Sequence, residues 1–128
     1  VAMHEQVGLL AYSPLAQGTL TGKYLGGQMP QGSRLALFGD GPLMMRYKGD
    51  KTQQAIEMYV NLAKKYEIDP AQLAIQFCNI QPFVTSTIIG ATTMEQLKTC
   101  IDSVDLDITK EIMNEIRGIH KEIPNPAP

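Results

Sequence analysis

The stretch VTSTIIGATTMEQL, residues 84–97, sets the reading of the whole chain. Residues 84–89 are β-branched apart from Ser86 and stop at Gly90, the pattern of a strand closed by a turn. Thr92 to Glu95 then has the capping-box form T-x-x-E, and Met94, Leu97 and Ile101 recur at helical spacing. A strand that passes through a glycine straight into a helix is half of a βα unit, so a small parallel sheet is expected. The N-H groups and positive dipole end of such a helix, with the hydroxyls of Thr92 and Thr93, make a place for an anion such as phosphate. The same hydroxyls serve equally as plain helix caps. Positions 92, 96 and 100 drift by only about 40° per step on a helix, which puts Thr92, Gln96 and Cys100 on one stripe. With Met94, Leu97 and Ile101 on a different, apolar stripe, Gln96 and Cys100 are expected to line a groove.

Upstream, VGLLAY (residues 7–12) is a continuous apolar run ended by Ser-Pro, which fits a strand buried on both faces of a parallel sheet. From Ala16 to Asp50 the sequence carries glycine at 18, 22, 26, 27, 32, 39 and 41 and no sustained periodicity, so a long functional or poorly ordered loop is expected. Thr52 to Tyr66 places apolar residues at 55, 59, 62, 63 and 66, one face of a helix. Asp69-Pro70 supplies an N-cap and a first-turn proline for a second helix that buries Leu73, Ala74, Phe77 and Cys78 and ends by Pro82. A last helix starts near Thr109 and buries Ile112, Met113, Ile116 and Ile119 before NPAP leaves the domain. VAMHEQ at the start has neither cap nor turn signal and reads as the last turn of a helix. Two strands make a very small sheet, with edges that this chain does not cover.

The 128 residues, 44% apolar and 19% charged, are those of one soluble globular domain spanning 1–128. A formal charge of -2 with scattered lysines and arginines argues against nucleic acid or an anionic membrane as partner. Cys78 and Cys100 lack paired spacing and suit reduced thiols in a cytoplasm. No apolar run reaches membrane-spanning length, and VAMHEQ lacks the regions of a signal peptide. No metal is expected, because His4 and His120 have no ligand spacing and Asp102, Asp105 and Asp107 lack the glycine and glutamate of a calcium loop.

YSPLAQGTLTGKY, residues 12–24, invites comparison with a P-loop and fails it. Three residues rather than four separate Gly18 from Gly22, and Tyr24 follows Lys23 where a hydroxyl is needed. Lys23 and Arg34 suit phosphate recognition, or simple solvation; the local pattern leaves both open.

Taken together, LLAYSPLAQGTLTGKY, the later GSR, STIIGATTMEQLKT and the closing PNPAP resemble the aldo-keto reductase family, in particular its Tas-like branch, related to the β subunits of voltage-gated potassium channels. The resemblance covers essentially the whole chain. It implies an α/β chain forming the C-terminal part of a (β/α)8 TIM barrel, with VGLLAY as strand seven and VTSTII as strand eight, incomplete as a barrel. The phosphate sites of such barrels commonly use the loops after these two strands. The implied activity is NADPH-dependent reduction of a small-molecule carbonyl compound to an alcohol by hydride transfer.

Residue by residue, the resemblance implies that Tyr12 packs against the nicotinamide and that Ser13, Pro14, Leu15 and Gly18 follow the pyrophosphate. Lys23 and Arg34 match basic positions near the phosphates, and Gly90, Thr92 and Gln96 match the adenosine side with its 2′-phosphate. Cys100 stands where relatives often have asparagine, and Thr99 where channel β subunits have an acidic residue. The family's Tyr, Lys, Asp and His tetrad belongs to the first half of the barrel, so no catalytic residue is assigned and this chain alone is expected to be inactive. The alternative is a non-catalytic dinucleotide-binding module, or one that self-associates or pairs with an N-terminal half through its open edges.

Overall fold

The computed structural model describes residues 1–39 and 41–127, with only the backbone of Leu43. Asp40 in the long loop and the final Pro128 of NPAP lie outside the described residues. Chain order begins with a one-turn helix α1 (Ala2–Glu5) and strand β1 (Leu9–Tyr12). Two 3-10 turns (Ala16–Thr21 and Leu25–Gly27) and short helices α2 (Arg34–Phe38) and α3 (Pro42–Met45) follow. Then come α4 (Asp50–Lys65), α5 (Pro70–Asn79), β2 (Val84–Ile88), α6 (Met94–Asp102) and α7 (Lys110–Glu122). The expected loop from Ala16 to Asp50 thus contains short helical turns. Each is too short for the sequence to show a repeating apolar face, which is why periodicity missed them.

Local chemistry starts and stops the main helices. Asp69 Oδ1 accepts from the N-H groups of Ala71 (2.7 Å) and Gln72 (3.2 Å), while Pro70 fills a position that needs no donor. Thr109 Oγ1 accepts from Ile112 N at 3.3 Å to begin α7. The Asp69 cap makes the short link from α4 an abrupt reversal, so the two helices pack together.

The core lies between helices: Leu62 and Ala63 of α4, Leu73 of α5, and Ile112, Ile116 and Ile119 of α7 are all buried together. Met113 is only half-buried. On α5 the buried residues are Ala71, Leu73, Ile75 and Gln76, with Ala74, Phe77 and Cys78 half-buried. This helix has no single buried stripe because it is packed by α4, α6, β2 and the 16–21 turn at once. Buried Gln76 is satisfied there, donating to Leu106 O at 3.0 Å.

β1 and β2 pair in parallel as a two-stranded sheet, with Tyr12 opposite Ile88 at the end from which both loops leave. The expectation that VGLLAY is buried on both faces does not hold: Val7, Leu9, Leu10 and Tyr12 are exposed. Helix α5 covers part of the sheet, and among the described residues no further strand joins it. An open pair of parallel strands with apolar outer surface is consistent with part of a barrel, since parallel strands ordinarily lie inside a protein.

Candidate functional site

The chain leaves β1 under backbone tension. Ser13, Ala16 and Gln17 have φ of 56°, 48° and 60°, left-handed values that cost a non-glycine residue about 1–2 kcal/mol each. Glycines at 18 and 22 continue the turn with φ of 88° and 80°. Such tightly wound backbone brings side chains back over the loop. Arg34 Nη1 donates to Gln17 Oε1 at 2.8 Å, and Gln17 Nε2 reaches Ser13 Oγ at 3.5 Å. Lys23 folds across Gly18: a Cβ at that glycine would lie 3.0 Å from Lys23 Cε and Nζ. Its ammonium also sits 5.1 Å from the centre of the Tyr24 ring. The buried Tyr24 hydroxyl meets Leu35 N at 3.5 Å and so ties α2 to the loop.

The second cluster begins at the end of β2. Thr93 Oγ1 accepts from Gln96 N at 3.2 Å and is the N-cap of α6. The expected box from Thr92 to Glu95 does not form: Thr93 is the cap, and Gln96 reaches back past it to Thr92. Gln96 Oε1 accepts from both Thr92 N (3.0 Å) and Thr92 Oγ1 (3.1 Å). Two donors of one residue converge on a single oxygen. The first-turn N-H groups of Met94 and Glu95 precede the first intrahelical bonds and point outward with the dipole. Glu95 adds negative charge beside them and opposes an anion.

Tyr12, Arg34, Gly90, Thr92 and Gln96 are exposed, Tyr12 at 72%; Ser13, Pro14, Leu15, Gly18 and Lys23 are half-buried. Cys100 differs, because it is 6% exposed and its thiol is pushed up by burial and then by the charge of Asp69. The expected groove shared by Gln96 and Cys100 does not form. Helix α6 is turned so that Cys100 faces α5, where Gln72 Nε2 donates to Thr99 O at 3.4 Å. Met94 (78% exposed) and Ile101 (56%) face outward instead of filling a core.

Sequence reasoning missed Gln17, which links Ser13 to Arg34, and, while counting both threonine hydroxyls as caps, set the capping box on Thr92 rather than Thr93. Gln17 carries no signal of its own, being one polar residue in a loop. Thr93 was within reach, since T-x-x-Q is also a capping box. Two clefts of the surface are one between α1 and the start of the strands, lined by Met3, Val7, Phe83 and Thr85, and one along the outer side of α6. Neither is lined by Tyr12, Arg34, Thr92 or Gln96, which are exposed, so the candidate site is an open face at the exit of both strands. Among the described residues no three His, Cys, Asp or Glu side chains gather as a metal site, and no helix is long and apolar enough to cross a membrane.

Two parallel strands followed by loops with polar clusters give a βα-type arrangement, and comparison with known proteins gives the chain's family. Residues 1–121 match the Aldo/keto reductase family, and the chain belongs to it. It is similar to the protein tas of Escherichia coli (strain K12), 48% identical over 128 residues, which is 100% of this chain and 36% of that protein. A probable voltage-gated potassium channel subunit beta of Oryza sativa subsp. japonica is 35% identical over 120 residues, 92% of this chain and 37% of the relative. An aldo-keto reductase of Babesia bovis is 38% identical over 118 residues, 89% of this chain and 41% of the relative. The chain thus spans well under half the length of these relatives.

Proposed function

We propose that this chain supplies the cofactor-holding, C-terminal loops of an NADPH-dependent aldo-keto reductase, with β1 and β2 as strands seven and eight of a TIM barrel. The observation that carries the reading is the convergence of Thr92 N and Oγ1 on one oxygen, at 3.0 and 3.1 Å, beside the strand whose loop holds Lys23 and Arg34. The donor set fits a phosphorylated dinucleotide: Gln96 Oε1 stands where an anionic oxygen would be received, and the glutamine side chain can turn its amide N-H to the same oxygen. Lys23 and Arg34 lie in the loop after β1, where they offset pyrophosphate charge, and Gln17 holds the guanidinium in place. The exposed ring of Tyr12 offers a flat wall to the nicotinamide. Thr92 and Gln96 receive the 2′-phosphate and so favour NADPH over NADH; Cys100, being buried, backs the helix and leaves adenine without that contact.

When bound, the dinucleotide supplies hydride to the carbonyl carbon of a small aldehyde or ketone. The carbonyl oxygen needs a proton from a group within about 3 Å, and no residue of the two clusters is assigned that task. Catalysis therefore belongs to the wider barrel, and this chain alone orients the cofactor. The free Cys78 and Cys100 fit a reducing, cytoplasmic setting.

Calorimetric titration of the chain with NADPH and NADH tests the reading. NADPH should bind more tightly, and Thr92→Val should reduce that preference by about tenfold, the loss of roughly one charge-assisted hydrogen bond. Equal affinity for the two cofactors, or no effect of Thr92→Val, would refute it. Oxidation of NADPH with a simple aldehyde by the purified chain, checked by intact mass, would overturn the assignment of catalysis to residues elsewhere.

The exposed strand residues favour a second reading, a module that self-associates or pairs with a complementary half through Leu9, Leu10, Tyr12 and Ile88. Light scattering after size exclusion decides it: a monomer at all concentrations contradicts self-association.

A further inference from the structure

The residues after α7 continue along α4 to its first turn. Ile123, which closes α7, is buried, and the chain then bends at Asn125, whose φ is 110°. The carbonyl of Pro126 accepts from Thr52 Oγ1, and that of Ala127 accepts from Arg46 Nη2 at 2.5 Å. Thr52 is 3% exposed, so its hydroxyl must find its partner inside the protein. The stretch leading into α4 is held from the other side too. Arg46 O lies 3.5 Å from Thr52 Oγ1, and Tyr47 O accepts from Gln53 Nε2 at 2.6 Å.

We propose that residues 124–127 are a releasable strap, which locks the segment from Arg46 to Thr52 against the first turn of α4 and can leave without unfolding the helical core. The hydroxyl of Thr52 has one proton and two carbonyl acceptors. While the strap is seated the proton goes to Pro126; once it leaves, the proton is available to Arg46 O, and the exposed Arg46 guanidinium returns to water. Release strands no buried donor, which makes it a local opening rather than a global one. Proline at 124 and 126 lowers the entropy lost on reseating. The strap governs order in the chain from Arg46 to Thr52, and this inference is independent of what the candidate site binds.

Hydrogen exchange read by mass spectrometry on the 128-residue chain tests it. The reporters are the amides of Tyr47, Lys48 and Gln53, which bond to Met44 O (3.0 Å), Met45 O (3.1 Å) and Gly49 O (3.0 Å). A chain shortened to Ile123 and a Thr52→Val chain should each exchange these amides about tenfold faster, as for a local opening, with α7 amides 113–119 changed less than about twofold. Thr52→Ser, which keeps the hydroxyl, should exchange as the parent does. Unchanged reporters in Thr52→Val overturn the proposal. So does equal acceleration of reporters and α7, which would make the tail part of the cooperative core; if the shortened chain does not fold, Thr52→Val and Thr52→Ser decide between the same outcomes.

Discussion

Gly8→Ala should weaken the sheet just before β1, where the backbone approaches Thr85 of β2 too closely for a side chain. An ideal Cβ at Gly8 lies 1.8 Å from Thr85 Oγ1 and 3.1 Å from Thr85 Cβ. Thr85 is the residue passed over in the pairing, because Leu9 faces Val84 whereas Leu10 faces Ser86. This irregularity turns the Thr85 hydroxyl into space that only glycine leaves open. Comfortable contact needs about 3.5 Å, so the new methyl must gain roughly 1.7 Å. Rotation of Thr85 to another staggered position relieves the oxygen, but the Cβ contact persists and the strands must shift a little. The combined cost should be about 1–3 kcal/mol, the usual range for overpacking. Removing the clashing oxygen with Thr85→Ala should cut the cost of Gly8→Ala to below about 1 kcal/mol, leaving a coupling of about 1–2 kcal/mol. Urea unfolding of the four proteins in this cycle measures it. Additive effects within about 0.5 kcal/mol would refute the claim that a steric contact fixes the register. A loss of register would also separate Tyr12 from Ile88 and with them the two loops of the ligand face.

Two further outcomes follow from single side chains. Thr87 Oγ1 is buried and has no partner among the described residues, so Thr87→Val should stabilise the chain by about 1 kcal/mol in urea unfolding, by removing an unpaid desolvation. Glu115 joins α7 to α4, accepting from Lys65 Nζ at 2.8 and 2.9 Å and from the Tyr66 hydroxyl, and the Lys65 and Tyr66 bonds lower its carboxyl below the usual range. Its contribution is therefore present above the ordinary glutamate pKa, near 4.3, and lost as pH falls through the lower folded value. Melting temperatures of the parent and Glu115→Gln should differ at neutral pH and converge as the pH falls below the ordinary glutamate range; a gap independent of pH would remove the ion pair from the account.

Much of the fold was legible because long helices and caps are local physics. Asp69-Pro70 and Thr109 announce α5 and α7 from a few adjacent residues, and the Ile112, Ile116 and Ile119 spacing of α7 needs no tertiary knowledge. The β-branched run at 84–88 and the apolar run ending at Tyr12 were likewise readable as strands, and their parallel pairing followed from the helices between them. The loop after β1 was readable in place but not in shape. Nothing in AQGTLT indicates left-handed backbone at Ala16 and Gln17, or an arginine 17 residues on reaching back to Gln17, since these depend on how α2 is held over the turn.

The reading of α6 failed for a reason that bears on function. Apolar spacing says which residues avoid water and does not say what covers them. Met94, Leu97 and Ile101 form a real stripe, yet α6 meets α5 through Cys100 and Thr99, so the stripe faces outward together with the apolar residues of β1. A helix and a strand pair that both turn apolar surface outward each lack a covering element among the described residues. On the proposed reading the clusters around Arg34 and Thr92 each contribute contacts to the dinucleotide, and the bare apolar surface is where the rest of a barrel would pack. Affinity for a dinucleotide should accordingly rise when that surface is covered, because the same event excludes water from the charged contacts of Lys23 and Arg34.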